Sequence, residues 1–402
     1  MRSIWFFLIV ILVPAILTAQ TPRVEISNTV ESLRGVSVVS HDVAWASGTH
    51  GTYLRTTDAG RTWIAAQVPD AAALDFRAVA AFSADEAFLM SSGTGELSRI
   101  YHTADAGKHW QLEFINTNPK GFFDSMVFWD RTHGVALGDP VADESGTLKF
   151  EMMVTDDGQT WHPIPPSQLP AAVEGEGAFA ASNNCIAILT AAWKSSAAVP
   201  SADAQNAAAS NTMGADSPDP NIWFATGGKT ARVFHSADRG QTWQVFDAPI
   251  VHGPDSAGIF SIAFRDAMHG VIAGGDYKRP NADGPNLAFT SDGGKTWTLS
   301  TIHPQAFFSS VAYDLHVNDI ALHERLTRDG YGKKKTRMRI QPALPQRLFV
   351  VGDDFIFDFR PPADPRRVSA KKKLGMKFNA ASAFPEGGAL VVGPKGSIAT
   401  VP

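Results

Sequence analysis

Thr56-Thr57-Asp58-Ala59-Gly60-Arg61-Thr62-Trp63 decides the fold, because the chain writes this stretch five times. The other copies are TADAGKHW (Thr103–Trp110), VTDDGQTW (Val154–Trp161), SADRGQTW (Ser236–Trp243) and TSDGGKTW (Thr290–Trp297). Their shared form is Ser/Thr-x-Asp-x-Gly-x-Thr-Trp. Val154 departs from it at the first position and His109 at the Thr. Successive tryptophans lie 47, 51, 82 and 54 residues apart. A period near 50 residues is the mark of a propeller or another repeat array.

The residue types explain the motif. Asp-x-Gly between two β-rich stretches makes a hairpin turn. The carboxylate accepts hydrogen bonds from turn N–H groups and the glycine supplies a positive φ. We assign these roles to Asp58, Asp105, Asp156, Asp238 and Asp292 and to Gly60, Gly107, Gly158, Gly240 and Gly294. Trp63, Trp110, Trp161, Trp243 and Trp297 open the next strand and offer a large apolar face to a neighbouring unit. Turns repeated once per unit lie around a perimeter, so these aspartates are structural and not a catalytic pair.

A second repeat accompanies the turns. VSVVSHDVAWASG (36–48), AVAAFSADEAFLMSSG (78–93), SMVFWDRTHGVALGD (125–139) and SIAFRDAMHGVIAGGD (261–276) each read as two short apolar strands around a polar turn. With the strands flanking the Asp turn this gives four antiparallel strands per unit, which is propeller architecture. The expected fold is all-β, a single propeller of seven blades, with six or eight as alternatives. Units fall near 34–68, 76–115, 122–165, 174–247 and 258–302. A degenerate, basic sixth spans 307–373. The last takes three strands from 375–401 and a fourth from the N-terminal segment 23–30, which removes exposed sheet edges.

These repeats resemble the Asp-box, or BNR, repeats of sialidases, sortilin-type receptors and xyloglucanases. In spacing and strand pattern the chain is more similar to the photosystem II stability/assembly factor-like propellers of bacteria. The resemblance covers 22–315 and, as a last partial unit, 376–402. It implies a propeller and a role in assembly or stability; it does not imply an activity.

Composition agrees with a turn-rich chain that needs no staples. It has 402 residues, 34 Gly, 25 Pro, a single cysteine (Cys185) and a formal charge of −5. One thiol excludes an intramolecular disulfide framework and a Cys-based zinc site. Met1-Arg2-Ser3, the apolar run Ile4–Leu17 and Thr18-Ala19-Gln20 form the pattern of a secretory signal peptide with cleavage after Ala19. The run is shorter than the ~20 residues a membrane span needs. The expected location is therefore secreted or periplasmic, as a monomer that is not integral to the membrane after cleavage.

Candidate binding residues come from the long loops. Asp turns join third and fourth strands and share one face. The links from second to third strand share the other face with the links between blades. PVADESGT (140–147), the Ala- and Ser-rich insertion Lys194–Asn221 and YKRPNADGPN (277–286) are long and are assigned to that other face. Loops carried by a rigid scaffold are the usual place for binding. Asp139, Glu174, Glu176, Arg232, Asp276, Lys278 and Arg279 are the candidates there, although Asp139 and Asp276 also suit simple loop capping. Residues 325–377 hold 15 Lys+Arg against 5 Asp+Glu, so the −5 conceals one basic unit. Export argues against nucleic acid as its partner.

Enzyme signatures are missing. Five tyrosines are present, and only Tyr277 falls on the candidate sector. No Phe-Arg-Ile-Pro motif, phosphate-binding glycine loop or serine-nucleophile motif occurs. No cofactor and no metal are expected. The resulting expectation is a non-catalytic exported scaffold that binds a protein partner in the cell envelope. The alternative is a glycan-binding or sialidase-type protein.

Overall fold

The computed structural model describes residues 21–189, 219–301, 306–314, 325–328, 334–337, 347–352, 355–359, 368–373 and 375–402. The apolar segment Ile4–Leu17 and nearly all of the Lys194–Asn221 insertion fall outside these residues. The fold is an all-β propeller. Among the described residues the helical content is a single 3-10 turn, Gly95–Leu97. No helix among them is long and apolar enough to cross a membrane.

Among the described residues six sheets have four antiparallel strands each, one more carries six, and one has two. The first blade shows the plan. Its strands are Leu33–Val38, Ala44–Gly48, Thr52–Thr56 and Ile64–Gln67, from the axis outward. The innermost strands touch in turn around a ring: Leu33–Val38, Phe76–Ala81, Phe123–Phe128, Ile186–Ile188, Ala257–Phe264, Phe308–Tyr313, Ala380–Ala383, and back to the first. Serines on these strands stitch blade to blade. Val38 N donates to Ser382 Oγ, Ala81 N to Ser37 Oγ, Val311 N to Ser261 Oγ and Ala381 N to Ser310 Oγ, all at 2.9–3.1 Å.

Apolar clusters fill the spaces between blades. Leu33, Leu54 and Trp63 of the first blade pack on Ala380, Leu390 and Ile398 of the last. Phe82, Phe88, Phe128 and Trp161 join the second to the third. Each motif tryptophan belongs to such a cluster or packs against one, which is how an outer-strand residue secures the neighbouring blade.

The ring is closed by the chain ends. Arg23–Val24 pairs antiparallel with Thr400 and Ala399. Glu25, whose side chain is 1% exposed, completes this latch. It accepts from Trp63 Nε1 at 2.7 Å, from Arg23 at 2.9 Å and from Thr400 Oγ1. One carboxylate thus ties the N-terminal strand to the last strand and to the first Asp-turn tryptophan.

In the first turn Asp58 accepts from Thr62 N at 2.9 Å and Thr62 Oγ1 at 2.6 Å, while Thr56 Oγ1 takes the Gly60 N–H. Those bonds hold the Asp58 carboxyl down at about 2. Asp105, Asp238 and Asp292 repeat the arrangement. The third turn corrects the sequence frame: its carboxylate is Asp157 and not Asp156. Asp157 accepts from Thr160 N at 2.7 Å and Thr160 Oγ1 at 2.9 Å, and Thr155 Oγ1 takes the Gly158 N–H. This turn lacks the residue between Asp and Gly. Only Gly158 is left-handed there, whereas Ala59 and Gly60 both are in the first turn.

Two further departures concern the fourth and sixth units. The Lys194–Asn221 insertion joins the first strand, Ile186–Ile188, to the second, Ile222–Ala225. It therefore departs and re-enters at the Asp-turn ends of these strands and does not belong with the second-to-third links. The link that does is the short 226–231 turn. The basic unit forms a four-stranded sheet of Phe308–Tyr313, Leu348–Gly352, Phe355–Phe359 and Val368–Lys373. A hairpin, Arg325–Arg328 with Lys334–Arg337, lies between its first two strands in sequence.

Candidate functional site

A cavity of about 890 Å³ opens around the axis. Its lining comes from the starts of innermost strands, the ends of second strands and the links between blades. Those are the strand ends opposite the Asp turns.

The innermost strands aim side chains into this cavity by one repeated device. The ladder between first and second strands skips a residue between Leu33 and Gly35, Phe76 and Ala78, Phe123 and Ser125, Ile259 and Ser261, and Phe308 and Ser310. The skipped residues are Arg34, Arg77, Asp124, Phe260 and Ser309, and all five line the cavity. A β-bulge leaves one residue outside the pairing and re-aims its side chain, which is why bulges gather at functional sites. The sequence carries the signal in LRGV, FRAV, FDSM, IFSI and FSSV: apolar, variable, small, apolar. Sequence reasoning attended to the repeated positions and missed the variable one, where the site lies.

Charge in the cavity is segregated. Arg34 and Arg77 share Asp75, with their Nε atoms 3.5 and 2.9 Å from its two oxygens. Arg77 Nη1 also donates to Ala180 O at 3.0 Å. Beside them stand Asp124 and Asp139. Burial, then the charge of Asp139, raise the Asp124 carboxyl well above the usual range, against the pull of Arg77 and the Ala180 N–H. Burial likewise pushes Asp139 up to about 6, against the bond at 3.0 Å from Ala178 N. The two carboxyls thus hold neighbouring amides of one segment, Ala178 to Ala180. Between those amides Phe179 stacks on Phe260 at 3.8 Å. Phe307 stands edge-on to Phe260 at 4.7 Å and Tyr277 at 6.1 Å.

Of the sequence candidates, Asp139 and Glu176 line the cavity. Glu176 is spent on structure. Its buried carboxylate takes Arg232 Nε at 2.9 Å, a second Arg232 nitrogen, Thr226 Oγ1 at 2.6 Å and Val173 N at 3.0 Å. This pair secures the ribbon Glu176–Gly177 with Gly227–Gly228, which adds to the blade built on Ala257–Phe264. Asp276 caps its own loop, accepting from Lys278 N at 3.0 Å and Arg279 Nε at 2.8 Å. Glu174 and Lys278 are exposed and do not line the cavity. No cluster of three or more His, Cys, Asp or Glu that could hold a metal occurs among the described residues. Cys185 is buried, and burial pushes its thiol far up, so it is not a poised nucleophile.

No model of a known protein family matches the chain, and no curated protein matches it. Solved structures do. "YCF48 bound to D1 peptide" is similar at 12% identity and TM-score 0.56, over 96% of this chain and 98% of that one. The WD40 repeats of RRP9 give the same identity and score over 95% and 99%. The WD40 propeller domain of Doa1 gives 10% identity and TM-score 0.54 over 95% and 97%. At these identities the likeness is one of fold.

Proposed function

We propose that the chain is a non-catalytic, exported assembly or stability scaffold that binds a protein partner through the cavity opposite the Asp turns. The observation that carries this reading is the bulge ring. Five blades turn a bulged side chain, Arg34, Arg77, Asp124, Phe260 or Ser309, into one axial cavity. Variation at one bulged position of a repetitive frame is the layout of a recognition surface. A propeller similar in fold is described with a bound peptide, which agrees with this use of the architecture. The apolar N-terminal segment supports export. The test is a photo-crosslinking residue at exposed Lys120, on the cavity, compared with one at Arg61, on an Asp turn. A partner captured through Lys120 and lost on Asp124→Asn supports the reading. Capture through Arg61 alone contradicts it.

A glycan reading has one observation in its favour: two carboxyls, Asp124 and Asp139, share the cavity, and a pair of carboxyl groups is what acid–base chemistry on a glycosidic bond uses. Such an enzyme would cleave a fluorogenic sialoside and lose that activity in Asp139→Asn. Silence against a panel of glycosides, with no glycan bound on an array, removes this alternative.

A further inference from the structure

Asp124 is 1% exposed, lines the cavity, and its Oδ2 has no hydrogen-bond partner. A buried polar atom left without a partner needs an explanation, because its lost hydration is not repaid. Asp139 stands close enough to shift it electrostatically. Arg77 does not fill the gap, since its Nε is held by Asp75 and its Nη1 by Ala180 O. Arg34 faces Asp75, Arg232 neutralises Glu176, and Lys120 and Asp255 are exposed lining residues. Asp124 Oδ2 is therefore an acceptor without a donor, in a residue that lines the cavity beside Asp139.

The adjoining wall is aromatic. Phe179 sits between the two amides that the carboxyls hold and is cradled by Gly227 and Gly258. A Cβ on either would come within 2.3 or 2.9 Å of its ring. Tyr277, half exposed, continues the wall. Carboxylates beside aromatic rings are the chemistry that recognises organic cations.

We infer that this cavity takes a cationic group, the ammonium or guanidinium of a Lys or Arg side chain on the partner, with Asp124 and Asp139 as counter-ions and the Phe179–Tyr277 wall as its flank. This deepens the scaffold reading and rests on it. An ammonium has three N–H donors, enough to satisfy Asp124 Oδ2 and reach Asp139.

Calorimetric titration of the folded chain with acetyl-Gly-Lys-Gly-amide, its norleucine counterpart and n-butylammonium tests this. The Lys peptide is expected to bind about 10-fold or more tightly than the norleucine peptide. Asp124→Asn and Asp139→Asn should each cost about 10-fold or more. Tyr277→Leu, at an exposed position, should cost about 3-fold. Binding should weaken from pH 8 to pH 5, as Asp139, held up to about 6, takes up its proton; Asp124, held up by burial and by Asp139, gives up its own proton on taking the cation. Equal binding of the Lys and norleucine peptides overturns the inference, as does full affinity in both Asn variants that keep a native circular-dichroism spectrum. Butylammonium binding as tightly as the peptide overturns the side-chain source and assigns the site to a small ammonium. A partner crosslinked at the cavity without any cation preference leaves the scaffold standing and removes this inference alone.

Discussion

Replacing Glu25 by Ala should open the ring. Glu25 is the one acceptor shared by the N-terminal strand, the last strand and Trp63. The Arg23 contact is half exposed and contributes little. The other two are bonds to a buried carboxylate, worth roughly 1.5–3 kcal/mol each. The Trp63 indole N–H, on a side chain 2% exposed, would be left unpaired at a cost of ~1–3 kcal/mol. Removing the carboxylate also relieves its own dehydration, which offsets part of the loss. The net expectation is about 3 kcal/mol for Glu25→Ala, and about half of that for Glu25→Gln, which keeps an acceptor. The assay is urea unfolding of Glu25→Ala, Trp63→Phe and the double variant. The cycle should return a coupling of about 2 kcal/mol. A coupling below about 0.5 kcal/mol would refute the argument, because these two groups would then be acting independently.

Arg232→Ala should destabilise by about 3–5 kcal/mol, because it strands the buried Glu176 charge; adding Glu176→Gln should recover much of this in the same unfolding assay. Asp157→Ala should lower the urea midpoint while Asp156→Ala leaves it unchanged, which checks the frame of the third turn. Acid should act through two opposing sets of groups. Asp58, Asp105 and Asp292 are held down at about 2, so their contribution is complete above the ordinary carboxyl range and is lost as pH falls toward 2. Asp139 is held up at about 6, so its contribution is complete below about 4 and is lost as pH rises through 6. Thermal midpoints measured across pH should show both limbs, and Asp139→Asn should flatten the upper one.

The architecture was legible because the turns repeat their chemistry. Asp, Gly and Trp recur in five hairpins that are capped and blades that are secured, and the stretches between them are short apolar runs of strand length. The pairing of 23–24 with the last strand followed from the need to cover an edge. The site was less legible because it occupies the position at which the repeats differ. Arg34, Arg77, Asp124 and Phe260 share only a place in the bulge, so the flanking apolar and small residues mark the position while the residue at it follows no motif. Glu176 and Arg232 both belong to the candidate binding set by their place in sequence. Lying 56 residues apart in sequence, they meet each other in an ion pair that sequence spacing does not foretell. The Val154–Trp161 turn was misframed because Asp156 and Asp157 are adjacent, and only the bond to Thr160 tells them apart. The insertion was placed on the wrong face because the short Ile186–Ile188 run that precedes it was not recognised as an innermost strand.

The central claim is that partners engage the axial cavity and not the Asp-turn face. The most direct measurement is photo-crosslinking in intact cells from Lys120 and from Arg61, each with and without Asp124→Asn. The account predicts an adduct from Lys120 that Asp124→Asn abolishes, and none from Arg61. An adduct from Arg61 and none from Lys120 would contradict it, whereas one from Lys120 indifferent to Asp124→Asn would keep the cavity as the partner's face and remove the cation inference alone.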